Sequence, residues 1–192
     1  MKEFSKSFNR RWKDGRYMHR WIKGDAIDIG SGGDCLTADL FPDLTSVRAW
    51  DIEDGDAVFM AGVADDSFDC VHSSHCLEHL SNPVEALKNW IRICKVGGHL
   101  VISVPDEDLY EQGYWPSKFN PEHQWSFTIA KPSSWSPVSV NVLDLVKAFS
   151  GLVQVLKIEL LDHDFDYGAE DKWDQTLGAA ECGIEFVLRK IA

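Results

Sequence analysis

The sequence predicts an α/β fold with a largely parallel sheet. An apolar strand at 26–29 runs into the glycine-rich turn Gly30-Ser31-Gly32-Gly33, where glycine permits a close backbone approach and positive φ. About 20 residues further on, a second short strand ends in the acid Asp51. Strand-like and helix-like patterns then alternate along the chain. At 192 residues, one core suffices, so we expect a single domain over 1–192.

The elements follow from hydrophobic spacing and from turn residues. Phe4, Phe8 and Trp12 recur every four residues and predict a helical N-terminal segment within 1–23. Pro83 suits the first turn of a helix, where its missing N–H costs nothing. Asn141 is a typical N-cap. The predicted strands are 26–29, 47–51, 68–73, 99–105, 153–161 and 184–188, and the predicted helices after the N-terminal segment are 36–40, 83–94 and 142–149.

Charge is unevenly distributed along the chain. The net charge is −12, yet segment 1–23 holds eight Lys and Arg residues against Glu3 and Asp14. The acidic remainder argues against a nucleic-acid partner, because phosphate contacts dominate that affinity. The basic segment either holds an anionic substrate or cofactor carboxylate, or is simply a solvated helix face.

Composition also bears on localisation and on metals. No apolar run reaches the length of a membrane span, and the N-terminus has no apolar signal-peptide core, so we expect a cytoplasmic protein without a membrane partner. The five cysteines form an odd set without CxxC or His/Cys ligand spacing. That pattern favours free thiols over disulfides, and we expect no metal site.

The next motifs lie at 66–80 and 95–100, with the sequences DSFDCVHSSHCLEHL and KVGGHL. Together with the glycine loop and Asp51, they resemble the class I S-adenosylmethionine-dependent methyltransferases, the type 11 branch in particular. The resemblance covers roughly residues 24–106. Asp34 stands where that family often has a third glycine, and Val96 replaces its usual proline. The fold it implies is a three-layer Rossmann-like sandwich with seven strands, mostly parallel, and an antiparallel last strand.

The resemblance implies a role for each matching residue, with S-adenosylmethionine as the cofactor. Asp28, Gly30 and Gly32 would line its methionine and ribose part, and Asp51 would hold the ribose hydroxyls. The adenine ring would contact three residues, namely Ile52, Asp56 and Ala57. Ser73 and Ser74, at the end of their strand, would lie beside the sulfonium.

Candidate catalytic residues come from histidines near the predicted site. Methyl transfer to a hydroxyl requires a base that titrates near neutrality. His123 lies in the long polar and aromatic segment 106–140, which we interpret as an acceptor-binding insert, although it could merely cover the sheet edge. We predict His123 as the base and His75 as the second choice, whereas His72 and His79 suit structural roles.

Three function classes follow. The first is methylation of a hydroxyl on a sugar, glycan or other small metabolite, with segment 1–23 acting as a lid on the site. The second is a catalytically silent module that binds S-adenosylmethionine and serves a partner. The third, a nicotinamide-dependent oxidoreductase, is disfavoured because the glycine spacing fails and no Tyr-x-x-x-Lys pair follows the strand at 68–73. The sequence identifies neither the acceptor atom nor the oligomeric state.

Overall fold

The computed structural model describes residues 3–192 and has an α/β architecture of three layers. Met1 and Lys2, which begin the basic segment, lie outside the described residues. The elements are α1 Glu3–Trp12, β1 Gly24–Ile29, β2 Leu44–Trp50, β3 Phe68–Ser74, α2 Pro83–Ile93, β4 Cys94–Pro105, β5 Ser126–Thr128, β6 Ser139–Asn141, α3 Val142–Lys147, β7 Val153–Leu161 and β8 Gly183–Lys190. Within residues 3–192, no helix has both the length and the apolar character needed to cross a membrane.

The main sheet has six strands in the order β2-β1-β3-β4-β8-β7. Strands β2, β1, β3 and β4 pair in parallel, while β8 runs antiparallel to both of its neighbours. The predicted fold class and the antiparallel last strand are therefore confirmed, with one strand fewer in the described chain than the seven expected. The difference arises at 51–67, where the chain forms turns between β2 and β3. A second, two-stranded parallel sheet joins β5 to β6.

Helix α2 covers one face of the sheet and begins as its sequence predicts. The Asn82 side chain accepts hydrogen bonds from the N–H groups of Val84 and Glu85, both at 3.1 Å, and Pro83 occupies the first turn. Trp90 is fully buried in the core on this side. Helix α3 lies in the same layer, where its N-cap Asn141 accepts from the N–H of Asp144.

The N-terminal segment covers the opposite face of the sheet. Phe4 on α1 and the side chains of a π-helical turn at Tyr17–Trp21 pack into a second core cluster, which also contains Ala26 of β1 and Val101 of β4. The helix predicted at 36–40 is not formed, since residues 31–43 consist of turns, a bend and irregular chain. Residues 3–23 therefore supply the helical cover that this face needs.

Two arginines of this segment pair with a buried carboxylate. Arg11 and Glu185 are both fully buried, with Nη2 of the arginine 2.7 Å from Oε2 of the carboxylate. Arg10 and Lys157 each place a nitrogen 3.0 Å from the other carboxylate oxygen, and the Tyr17 hydroxyl donates to it. Burial raises the pKa of Glu185, but the two arginines and the lysine outweigh it and hold that pKa well below its usual range. Arg10 and Arg11 thus neutralise a carboxylate inside the fold. The basic segment is therefore not a purely solvated helix face, and these two charges are not free to bind an anionic ligand.

Candidate active site

A cavity of about 570 Å³ lies at the carboxyl ends of β1, β2 and β3. Six of the residues predicted from the sequence line it: Gly30, Asp51, Ile52, Asp56, Ala57 and His75. The other lining residues are Trp50, Gly55, Cys76, His79, Leu80 and Glu122. Ligands bind at this edge of open α/β sheets, so this cavity is the candidate active site.

The glycine loop approaches its neighbours more closely than a side chain would allow. Gly30 has φ +73°, and a Cβ built on it would meet Sγ of Cys76 at 2.6 Å. Its N–H donates to the carbonyl of Trp50 at 2.8 Å. The N–H of Gly32 donates to Oδ2 of Asp51 at 3.0 Å. The loop therefore binds the end of β2 directly and places the Asp51 carboxylate beside the glycines.

Asp51 sits at the centre of the predicted nucleoside site. Its Oδ1 accepts from the N–H of Ile52 at 2.8 Å, so each carboxylate oxygen takes one backbone N–H and keeps a lone pair for a further donor. The Ile52 side chain beside it is 88% exposed, which offers a bare apolar surface to a planar ring. Asp56 accepts from the N–H of Val58, and the carbonyl of Ala57 accepts from the Trp90 indole. These residues fit the ribose and adenine of the cofactor that the sequence implies.

Asp28 and Ser73 are placed differently from what the sequence suggested. The Asp28 carboxylate faces the N-terminal segment and is 2% exposed, with Nδ1 of His72 and the N–H of Leu36 both at 2.6 Å. Burial raises the pKa of Asp28, but His72 and the backbone bond more than offset it, so the pKa is lowered overall. The Ser73 hydroxyl is fully buried and donates to the carbonyl of Ile29. Both groups brace the glycine loop from within the fold and do not line the cavity.

Ser74 is half-buried between β3 and β4. Its hydroxyl accepts from the Ser103 hydroxyl at 3.1 Å, which ties the two strand ends together. Like Gly32 and Asp28, it lies next to the cavity-forming segments without lining the cavity itself.

His75 immediately follows β3 and forms part of the cavity wall. It has φ +55°, an uncommon conformation for a residue other than glycine. Its Nδ1 lies 3.5 Å from Oε1 of Glu78, and its Nε2 lies 3.8 Å from Oε2 of Glu3. Burial lowers the pKa of His75, but these two carboxylates raise it, and the net change is upward.

His123 lies deeper, because the insert is fastened to the segment that follows β3. The N–H groups of Gln124 and Trp125 both donate to the carbonyl of Glu78, at 2.8 and 3.2 Å. The Trp125 indole donates to the carbonyl of Leu80 at 2.8 Å. His123 is consequently held 8% exposed, behind His79 rather than on the cavity wall.

The environment of His123 is both aromatic and acidic. Its ring centroid lies 4.9 Å from that of His79 and 5.1 Å from that of Tyr110. Nδ1 of His123 is 2.6 Å from Oε1 of Glu111, which is fully buried. The structure thus gathers two glutamates, Glu78 and Glu111, around the histidines. Sequence reasoning missed these acids, although the Glu-His pair at 78–79 offered a signal for the first of them.

The N-terminal segment reaches the same region. The N–H and hydroxyl of Ser5 bind the two carboxylate oxygens of Asp34, at 3.0 and 2.6 Å. Asp34 belongs to the loop that follows the glycines. Helix α1 therefore starts beside the glycine loop, with Glu3 near His75.

Comparison with known proteins supplies a family. A family model described as "Methyltransferase domain" matches residues 12–135. A search of curated proteins finds no match. An S-adenosylmethionine-dependent methyltransferase from Clostridium acetobutylicum superposes with a TM-score of 0.62 at 12% identity, covering 100% of this chain and 93% of that one. The plantazolicin methyltransferase BpumL, solved in complex with SAH, gives 0.59 at 15% identity, covering 99% and 85%.

A third similar structure comes from an assembly. A chain of the complex between the Haloferax volcanii Trm112 methyltransferase activator and a methyltransferase gives a TM-score of 0.60 at 15% identity, with 98% of this chain and 94% of that chain covered. At these identities the structural matches establish the fold, and the family model carries the assignment beyond it.

Proposed function

The chain belongs to the methyltransferase-domain family, and on that basis we propose that it methylates a hydroxyl group of a sugar, glycan or other small metabolite. Its resemblance to class I S-adenosylmethionine-dependent methyltransferases, drawn first from the sequence, is confirmed by the family match and the fold. The observation that carries the proposal is the pairing of Asp51 with the glycine loop at the wall of the cavity.

We assign cofactor binding to residues at the ends of β1 and β2. When bound, S-adenosylmethionine supplies an electrophilic methyl group on a sulfonium. Asp51 accepts hydrogen bonds from the ribose hydroxyls through the lone pairs that its two bonds to backbone N–H groups leave free. Ile52 covers one face of the adenine, and Asp56 and Ala57 border its edge. Because Gly30 packs closely against Cys76, the glycine loop leaves room in the cavity for the ligand.

The acceptor is assigned to the part of the cavity lined by His75, His79 and Glu122. These groups are polar and lie beside the aromatic insert, which suits a polyhydroxylated molecule. Aligning the acceptor with the methyl donor can supply several kcal/mol of the barrier. A neutral hydroxyl must also lose its proton, and His75 is the better placed base because it lines the cavity. His123, the first choice from the sequence, becomes the second because it lies behind His79.

We further propose that the enzyme works in the cytoplasm without a nucleic-acid or membrane partner. All five cysteines are free thiols, as a reducing compartment would allow. The N-terminal segment serves as a lid over the cofactor loop through Ser5 and Asp34.

The test of this function has a binding stage and a turnover stage. Calorimetry should detect S-adenosylmethionine binding and no binding of NAD. Release of S-adenosylhomocysteine is then measured with panels of sugars, glycans and small hydroxylated metabolites. Binding without turnover on any panel would favour the catalytically silent module, and binding of NAD instead would refute the proposal.

A paired substitution tests the base. His75→Ala should lower turnover by about 10²- to 10⁴-fold while S-adenosylmethionine still binds, because general bases contribute that much. His163→Ala is the matched control, since His163 is an exposed histidine outside the cavity. A loss in His123→Ala alone, with His75→Ala fully active, would restore the order predicted from the sequence.

A further inference from the structure

Three side chains from two distant segments meet beside the cavity. A ligand atom from each of Glu78, His79 and His123 lies within 4.8 Å of the other two. We propose that these three residues bind a divalent transition-metal ion. No metal is expected from the sequence, because it has no CxxC and no His/Cys ligand spacing. Only the docking of the insert onto residues 78–80 brings these three ligands together.

The Glu78 carboxylate is the first argument. It is fully buried, and both of its oxygens lack a hydrogen-bond partner among residues 3–192. Its two ion-pair contacts within the described chain are longer than ordinary hydrogen bonds, with Nδ1 of His75 at 3.5 Å and Nε2 of His79 at 3.9 Å from Oε1. A buried carboxylate that accepts no hydrogen bond is costly, and proteins hydrogen-bond such charges or bind metals with them. A cation at this position removes the cost.

The orientation of the two imidazoles is the second argument. Nδ1 of His123 faces Oε1 of Glu111 at 2.6 Å, and Nδ1 of His79 faces the carbonyl of Glu122 at 3.2 Å. Both partners are acceptors only, so each Nδ1 must carry a proton. In the neutral rings, Nε2 therefore presents a lone pair. Carboxylate or carbonyl partners of this kind are the usual outer support of metal-binding histidines.

The ligand set indicates the type of ion. Two imidazole nitrogens and one carboxylate suit zinc, iron(II) or a similar transition ion better than magnesium or calcium, which prefer oxygen ligands. Three protein ligands leave at least one coordination position open, as in catalytic sites. His79 lines the cavity, so an open position is available on the acceptor side.

The role of the ion rests on the proposed function. An acceptor hydroxyl coordinated at the open position is more acidic, because the cation stabilises the alkoxide. Its O–H bond breaks as proposed above, the new O–CH₃ bond forms while the S–CH₃ bond breaks, and the sulfonium becomes a neutral thioether. Metal binding itself does not depend on this step.

The test measures metal binding directly. The full-length protein is stripped with EDTA and titrated with Co²⁺ or Zn²⁺ by calorimetry, with the visible spectrum of Co²⁺ as a second readout. We expect one ion per chain. Glu78→Gln and His123→Ala should each weaken binding by at least about 100-fold, and Glu111→Gln by about 10- to 100-fold, the usual cost of losing an outer partner. His163→Ala should bind as the wild type does.

The outcomes separate the metal site from the proposed function. Circular dichroism shows whether each variant folds, and His79→Ala, which removes a partly exposed ring, is a further ligand variant if Glu78→Gln does not fold. Absence of stoichiometric binding, or equal binding in the ligand variants and the wild type, would overturn the metal site. S-adenosylmethionine affinity is measured in EDTA, so its absence would count against the proposed function alone.

Discussion

Asp51→Ala tests the cofactor site at the residue on which it most depends. In the free protein this carboxylate accepts N–H bonds from Gly32 and Ile52, and the proposed function adds the two ribose hydroxyls. A hydrogen bond to a charged group contributes about 1.5–3 kcal/mol, and bonds that share an acceptor are not additive. We expect S-adenosylmethionine affinity to fall by roughly 10- to 100-fold, equivalent to about 1.4–2.7 kcal/mol.

The same substitution should barely affect the apo protein. Gly32 and Ile52 are exposed, so their N–H groups can bond to water once the carboxylate is gone. The melting temperature is therefore expected to change little. Glu53→Gln is the matched control, because it removes a negative charge from the same turn outside the cavity lining. If calorimetry gave equal losses of S-adenosylmethionine affinity in both variants, the effect would come from the negative charge of the turn and not from hydrogen bonds to Asp51. Unaltered affinity in Asp51→Ala would show that the nucleoside binds elsewhere.

Three further predictions concern stability and the lid. Glu185→Gln should lower the free energy of unfolding by about 3–5 kcal/mol in urea titrations, because Arg11 would keep a buried charge without its carboxylate. His99 is buried, and neither of its ring nitrogens has a hydrogen-bond partner in the described chain. Burial lowers its pKa to about 4. Between pH 6.5 and 4 the unfolded chain therefore binds more protons than the folded chain, so the free energy of unfolding should fall by up to about 3 kcal/mol as the pH is lowered over that range. His99→Leu should flatten this pH dependence. Ser5→Ala removes a bond to Asp34 and should weaken S-adenosylmethionine binding by several-fold, about 0.5–1.5 kcal/mol, while neither form partitions onto anionic liposomes.

The sequence was most informative where local pattern and chemistry coincide. Pro83 predicted the start of α2 because a first-turn proline acts within a few residues, and Asn141 predicted the N-cap of α3 for the same reason. Gly30 and Asp51 were placed together because strand ends in a parallel sheet meet at one edge. The helix at 36–40 failed for the opposite reason. Its short apolar pattern carried no information about the N-terminal segment that already covers that face.

The placement of Asp28 could have been deduced more sharply. Side chains alternate across a strand, and Ile27 and Ile29 both face the core beneath α2. Asp28 lies between them and must therefore face the N-terminal segment, where its carboxylate hydrogen-bonds to Nδ1 of His72. The family resemblance assigned the residue to the cofactor, whereas strand geometry assigns it to the support of the loop.

The cluster of Glu78, His79 and His123 could not be assembled from the sequence, because His123 joins the pair at 78–79 only when the insert docks onto it. Its role is argued from how the other buried carboxylates are paired. Four glutamates are fully buried: Glu78, Glu107, Glu111 and Glu185. Glu185 is surrounded by arginine and lysine, Glu107 is bound by a lysine and two serines, and Glu111 by His123. Within residues 3–192, Glu78 alone of the four has no hydrogen-bond partner for either oxygen. Each of the other three acids has at least one hydrogen bond, whereas in the described chain Glu78 has only two imidazole contacts at 3.5 and 3.9 Å. Its carboxylate beside the cavity therefore marks where a ligand, and in our proposal a metal ion, supplies a closer positive charge.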